Sequence, residues 1–67
     1  MTFEEFEKKI LEKGYGIVAM NHYAKDGKRH LYCVVLGKNE NEAIMEEAEH
    51  SKTVFENICK KMDEYEN

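Results

Sequence analysis

The dipeptide Asp26-Gly27 stands between two stretches, Tyr15 to Ala24 and Arg29 to Gly37, that are rich in β-branched, aromatic and short apolar residues. A two-residue connection of this kind closes a β-hairpin, because the central positions of a type I′ turn need positive φ, which Asp tolerates and Gly adopts freely. Two strands alone are marginal in water and need cover on at least one face. The hairpin therefore dictates what the rest of the chain must supply.

With Asp26 and Gly27 as the central turn residues, Lys25 opposes Lys28, and opposed residues share a face. One face is then expected to carry Val18, Met20, His22 and Ala24 against Val35, Cys33, Leu31 and Arg29. This mostly apolar face should lie under helices. The other carries Ile17, Ala19, Asn21 and Tyr23 against Leu36, Val34, Tyr32 and His30, apolar at its base and polar-aromatic toward the turn.

Helices flank the hairpin. Thr2 and Glu5 have the spacing of a capping box, so a helix is expected over about residues 3–13, with Phe3, Phe6 and Ile10 on one face and Gly14 ending it. After Lys38-Asn39, with Asn39 able to cap, no breaker follows until about Tyr65. The spacing of Ile44, Ala48, Ser51, Phe55, Ile58, Met62 and Tyr65 predicts one long helix. It would run for roughly 25 residues, about 37 Å at the usual rise. A parallel stripe, Glu42, Glu46, Glu49, Glu56 and Asp63, would make one of its faces acidic.

The expected architecture is thus α+β, a single helix-strand-strand-helix domain over residues 1–67 with a two-stranded antiparallel hairpin. At 67 residues the chain buries only about 60% of its unfolded surface, and oligomerisation is a common remedy at that size. A homodimer is expected, formed by joined hairpins or by the protruding helix. Its interface would use Ile17, Val34, Leu36, Phe55, Ile58, Met62 and Tyr65.

Composition narrows the setting. The longest apolar runs fall far short of the roughly 20 residues that cross a bilayer, and Met1-Thr2-Phe3-Glu4-Glu5 lacks the basic and apolar regions of a secretory signal. With two cysteines and no export signal, a cytoplasmic protein with buried thiols is expected. Nine of the ten basic residues are Lys, a bias that fits an AT-rich bacterial or phage-type genome.

Charge is uneven: the net −4 divides into −1 over residues 1–14, +3 over 15–39 and −6 over 40–67. Around the turn, Lys25, Lys28, Arg29, Tyr23, Tyr32 and His30 interleave basic and aromatic groups, a mixture used to contact phosphate and stack bases. The acidic chain as a whole argues against nucleic-acid binding, since basic domains are the rule there. The acidic helix face allows the converse, a mimic of nucleic acid that occupies the basic groove of an enzyme.

Catalysis finds little support. His50 and Ser51 are adjacent and would point about 100° apart on a helix. The carboxylates lie on an expected solvent face with nothing to perturb them. No Cys or His pair has local zinc-site spacing, and neither a metal nor another cofactor is expected. His22 and Cys33 would be diagonal neighbours on one sheet face, a geometry more often found at a core margin than in a dyad.

The sequence thus reads as a small non-catalytic binding or regulatory protein acting by protein–protein contact, with no membrane partner. Its working surface is expected at Asn21, Tyr23, Lys28, His30 and Tyr32, because aromatic side chains combine contact area with a polar handle. The alternatives are the acidic nucleic-acid mimic, using Glu42, Glu46, Glu49 and Glu56, and a small-ligand or nucleotide-sequestering dimer with a pocket lined by Tyr23, Lys28, His30 and Tyr32.

Overall fold

The computed structural model describes residues 1–39 and 42–65. In chain order the elements are α1 (Phe3–Glu12), β1 (Gly16–Lys25), β2 (Arg29–Asn39), β3 (Glu42–Ala48) and α2 (Ser51–Tyr65). The strands form one antiparallel meander in the order β1-β2-β3. The fold is α+β, and its sheet has three strands where the sequence suggested two.

Helix α1 begins as its residues dictate. The Glu5 N–H donates to Thr2 Oγ1 at 3.2 Å, and the Thr2 N–H reaches Glu5 Oε1 at 3.4 Å. It ends in a Schellman motif: Gly14, at φ +86°, donates to the Leu11 carbonyl, and the Tyr15 N–H donates to the Ile10 carbonyl at 2.9 Å. That wrap turns the chain back and delivers Tyr15 to the core beside Ile10.

The hairpin turn has its expected residues and an unexpected register. Asp26 and Gly27 have φ of 55° and 71°, and the Lys28 N–H donates to the Lys25 carbonyl. The ladder nevertheless pairs Lys25 with Arg29, leaving Lys28 as an extra residue. From there to Ala19↔Val35 every pair is offset by one from the expected register. A bulge at Val18 absorbs the offset, so that Ile17↔Leu36 and Gly16↔Gly37 fall as expected.

A one-residue slip exchanges the faces of one strand against the other. The face under the helices therefore carries Met20, His22 and Ala24 with Val34, Tyr32 and His30, a combination drawn from both expected faces. Cys33 pairs with Asn21 on the opposite side, so His22 and Cys33 do not share a face.

Residues 42–48 correct the long-helix reading: they are β3, pairing with β2 from Tyr32↔Ala48 to Asn39↔Glu42. Asn39 ends β2 and caps no helix. The expected helix also ran through residues 40 and 41, which lie outside the described residues. The physical reason is that spacing of four satisfies both periods. Ile44 and Ala48 share a face on a helix and on a strand alike. Helix propensity favours Glu and Ala by only about 0.5 kcal/mol per residue. Pairing with β2 instead satisfies its backbone edge and buries Ile44, at 2% exposure.

Helix α2 accordingly has 15 residues. The His50 carbonyl accepts from the N–H groups of Thr53 and Val54 at its start. Val54, Phe55, Ile58, Cys59 and Met62 face inward. They close a core with Phe6 and Ile10 of α1, Tyr15, and Val34, Leu36 and Ile44 of the sheet. Phe6 and Phe55 stack at 4.4 Å between ring centroids and join the two helices. Both helices thus lie on one side of the sheet.

Candidate interaction surface

Among the described residues, no element covers the side of the sheet away from the helices. Along it run Gly16↔Gly37↔Ala43, then Ala19↔Val35↔Met45, then Asn21↔Cys33↔Glu47. Val18, bulged out between the first two rows, is 70% exposed, and Met45 is 59% exposed. A Cβ at Gly37 would stand 3.0 Å from Val18 Cγ2, so the missing side chain there makes room for the bulged valine. The base of this face is an apolar surface of two projecting side chains set among Gly and Ala.

Toward the turn the same face becomes polar, and its charges are tied together. The Tyr23 hydroxyl donates to Glu47 Oε2 across β2. That bond, more than partial burial and the nearby negative charge, raises the tyrosine pKa above its ordinary value. Arg29 Nε donates to Glu49 Oε1 at 2.8 Å. Leu31, paired with Tyr23 in the ladder, is buried on this face beside these links.

On the helix side, the hairpin extends past the end of α2. There Met20, His22, Tyr32 and Val34 of the sheet and Ser51, Val54 and Phe55 of α2 line an open, largely apolar cleft of about 170 Å³. His22 stacks on Tyr32 at 4.5 Å between centroids and on His30 at 5.1 Å. His22 Nε2 and His30 Nδ1 are 3.2 Å apart.

The surface expected from sequence is divided by the register. Asn21 and Tyr23 lie on the open face, His30 and Tyr32 lie on the helix side, and Lys28 sits at the turn. The same division separates the residues expected to line a small-ligand pocket. Of those expected at a dimer interface, Val34, Leu36, Phe55, Ile58 and Met62 are taken up by the chain's own core, and Ile17 packs against it. Tyr65 is 62% exposed and lines a shallow groove with Tyr15, Lys38 and Glu42.

The acidic residues do not form one helical stripe. Glu42 and Glu46 are on β3, Glu49 follows it, and Glu56 is on α2. Glu46 faces the helices and accepts from Lys61 Nζ, a bond that raises the lysine pKa. Glu49 is engaged by Arg29. What sequence reasoning missed is the open face around Val18 and Met45. The odd-numbered alternation of Ala43, Met45 and Glu47 was its signal, concealed by helix-forming residues.

Among the described residues no helix is long and apolar enough to cross a membrane, and no group of three or more His, Cys, Asp or Glu side chains is placed to hold a metal ion. No known protein family, no curated protein and no solved structure matches the chain.

Proposed function

We propose that this chain is a non-catalytic protein-interaction module that self-associates through the open face of its sheet. The observation that carries the reading is the contiguous apolar base of that face, with Val18 and Met45 standing exposed among Gly16, Ala19, Val35, Gly37 and Ala43. Apolar surface of this kind gains about 25 cal/mol for each Å² removed from water. Its shape suits a two-fold pairing, in which Met45 and Val18 of one copy seat over the small residues of the other. Sheets stacked in this way lie about 10 Å apart, a separation that a Met against Gly or Ala can fill.

The polar half of the face supports a defined edge to such a contact. Tyr23–Glu47 and Arg29–Glu49 satisfy their own charges and hydroxyls within the chain, and a rim of satisfied polar groups around an apolar centre is the usual anatomy of an interface. The ion pairs Arg29–Glu49 and Lys61–Glu46 weigh against the nucleic-acid mimic, which needs those carboxylates free and in register.

Sedimentation velocity tests the reading. The wild-type chain should sediment as a dimer at tens of micromolar, with weak dependence on salt. The double substitution Val18→Lys and Met45→Lys should give a monomer with an unchanged far-ultraviolet circular dichroism spectrum. A wild-type monomer at about 0.5 mM, where even a contact worth only about 5 kcal/mol would be visible, overturns it.

A further inference from the structure

His22 and His30 are eight residues apart in sequence and touch only because the turn and the offset register bring them together. The ladder sets His22 opposite Tyr32 and His30 opposite Ala24. The two imidazoles are therefore diagonal neighbours on adjacent strands, projecting from one face of a paired sheet. With His22 Nε2 and His30 Nδ1 3.2 Å apart, we infer that the pair is a bidentate site for a borderline divalent cation of the zinc or nickel class.

The distance is the first argument. An ion held at about 2.0–2.1 Å from each of two nitrogens so spaced subtends an N–metal–N angle of about 100°, between the square and tetrahedral values. The hydrogen bond between the two nitrogens gives way on binding: the proton it holds moves to the other nitrogen of its own ring, and the rings turn until both lone pairs meet at the ion. Both residues are exposed, so the ion is not stripped of all its water.

The scaffold is the second. His22 lies flat against Tyr32, with 14° between ring planes, which limits its orientations before any ion arrives. Donors fixed on two hydrogen-bonded strands lose less freedom on binding than donors on a loop. Imidazole is a favoured ligand for zinc and nickel, whereas calcium and magnesium prefer oxygen. Among the described residues no further His, Cys, Asp or Glu completes a set of three, so water fills the other positions and the ion exchanges readily.

Isothermal titration with Zn²⁺ and Ni²⁺, in a buffer that does not bind metal, tests the site. The Cys33→Ser variant is used throughout to remove the accessible thiol. One ion per chain is expected, with loss of the His22 and His30 imidazole proton resonances in the presence of paramagnetic Ni²⁺. His22→Ala and His30→Ala should each weaken binding by about tenfold or more, the scale on which loss of a ligand or its support is felt, while leaving the circular dichroism spectrum unchanged. His50→Ala should have no effect. Absence of binding up to about 1 mM metal, an affinity of barely 4 kcal/mol, overturns the inference. So does binding that survives the His22→Ala/His30→Ala double substitution or that depends on His50.

Discussion

Tyr23 on β1 and Glu47 on β3 belong to the two edges of the sheet, yet they are bonded to each other over the strand between them, the phenol donating to the carboxylate. The link spans the polar half of the open face and joins the two outer strands. It also favours the neutral phenol, since a tyrosinate beside a carboxylate loses the bond and gains repulsion. The Tyr23 pKa is raised for those reasons. A group whose folded pKa lies above its unfolded one contributes stability below the unfolded value, and that contribution disappears as pH rises through the folded value. The window here is alkaline, above about pH 10, where an unperturbed tyrosine ionises. Tyrosinate absorbance should show one late-titrating tyrosine in the wild type, and Glu47→Gln should bring that step to lower pH. An identical titration curve in the variant counts against the bond.

Gly14 holds the turn that carries the chain from α1 into the sheet. At φ +86° it occupies a region that costs an L-residue with a Cβ about 1–2 kcal/mol. The nearest atom to an added Cβ is Lys38 Cε at 3.5 Å, an ordinary contact, so the penalty is conformational and not steric. Gly14→Ala should lower stability by about 1 kcal/mol. For a chain of this size that is a fall in Tm of several degrees, about 4–8 °C. Thermal unfolding followed by circular dichroism measures it, and an unchanged or raised Tm contradicts the assigned backbone.

How far the sequence discloses this fold follows from which signals are local. The Thr2–Glu5 box, Gly14 and the Asp26-Gly27 turn each act within four residues, and each forms as its chemistry requires. Of the seam expected on α2, Phe55, Ile58 and Met62 are buried, while Ser51 and Tyr65 at its two ends are exposed. The register does not follow from local signals, because the extra Lys28 and the bulge at Val18 are settled by packing across the sheet. Residue 46 is where the helix and strand readings of β3 part. A strand puts Glu46 on the same side as Ile44 and Ala48, where Lys61 of α2 meets its charge. The candidate surface suffered from the same ambiguity: with β3 read as helix, Ala43, Met45 and Glu47 had no place on the open face.

The two cysteines differ in a way that thiol chemistry can read. Cys59 is buried on α2, and burial raises its pKa and disfavours the reactive thiolate. Cys33 is partly exposed on the open face. At neutral pH an aromatic disulfide reagent should modify one thiol quickly, and Cys33→Ser should abolish that phase. Cys59 should react only at the rate at which the chain opens, and should become fast in denaturant. Rapid modification of both thiols in the native protein would contradict the packing of α2. If the open face is also where two copies meet, Cys33 should react more slowly as protein concentration rises, which links this measurement to the proposed self-association.

Neighbouring residues of β3 give the sharpest test of the third strand. Ile44 is 2% exposed and packs in the core, while Met45, next in sequence, is 59% exposed on the opposite side. Removing a buried isoleucine side chain costs about 2–5 kcal/mol, a large share of what a small domain has to spare. Truncating an exposed methionine usually changes stability by less than about 0.5 kcal/mol. Urea unfolding at a concentration low enough to keep the chain monomeric should therefore show Ile44→Ala largely unfolded and Met45→Ala close to wild type. Glu46→Ala, which leaves Lys61 without its carboxylate, should lower the Lys61 pKa, a change that nitrogen-15 resonances of the lysine ammonium report. On a helix, Ile44 and Met45 would lie about 100° apart with Glu46 a further 100° round. Strict alternation of a sensitive, a tolerant and a helix-facing position is the signature of a strand. Equal sensitivity at 44 and 45 would mean that this segment does not form the edge of the sheet.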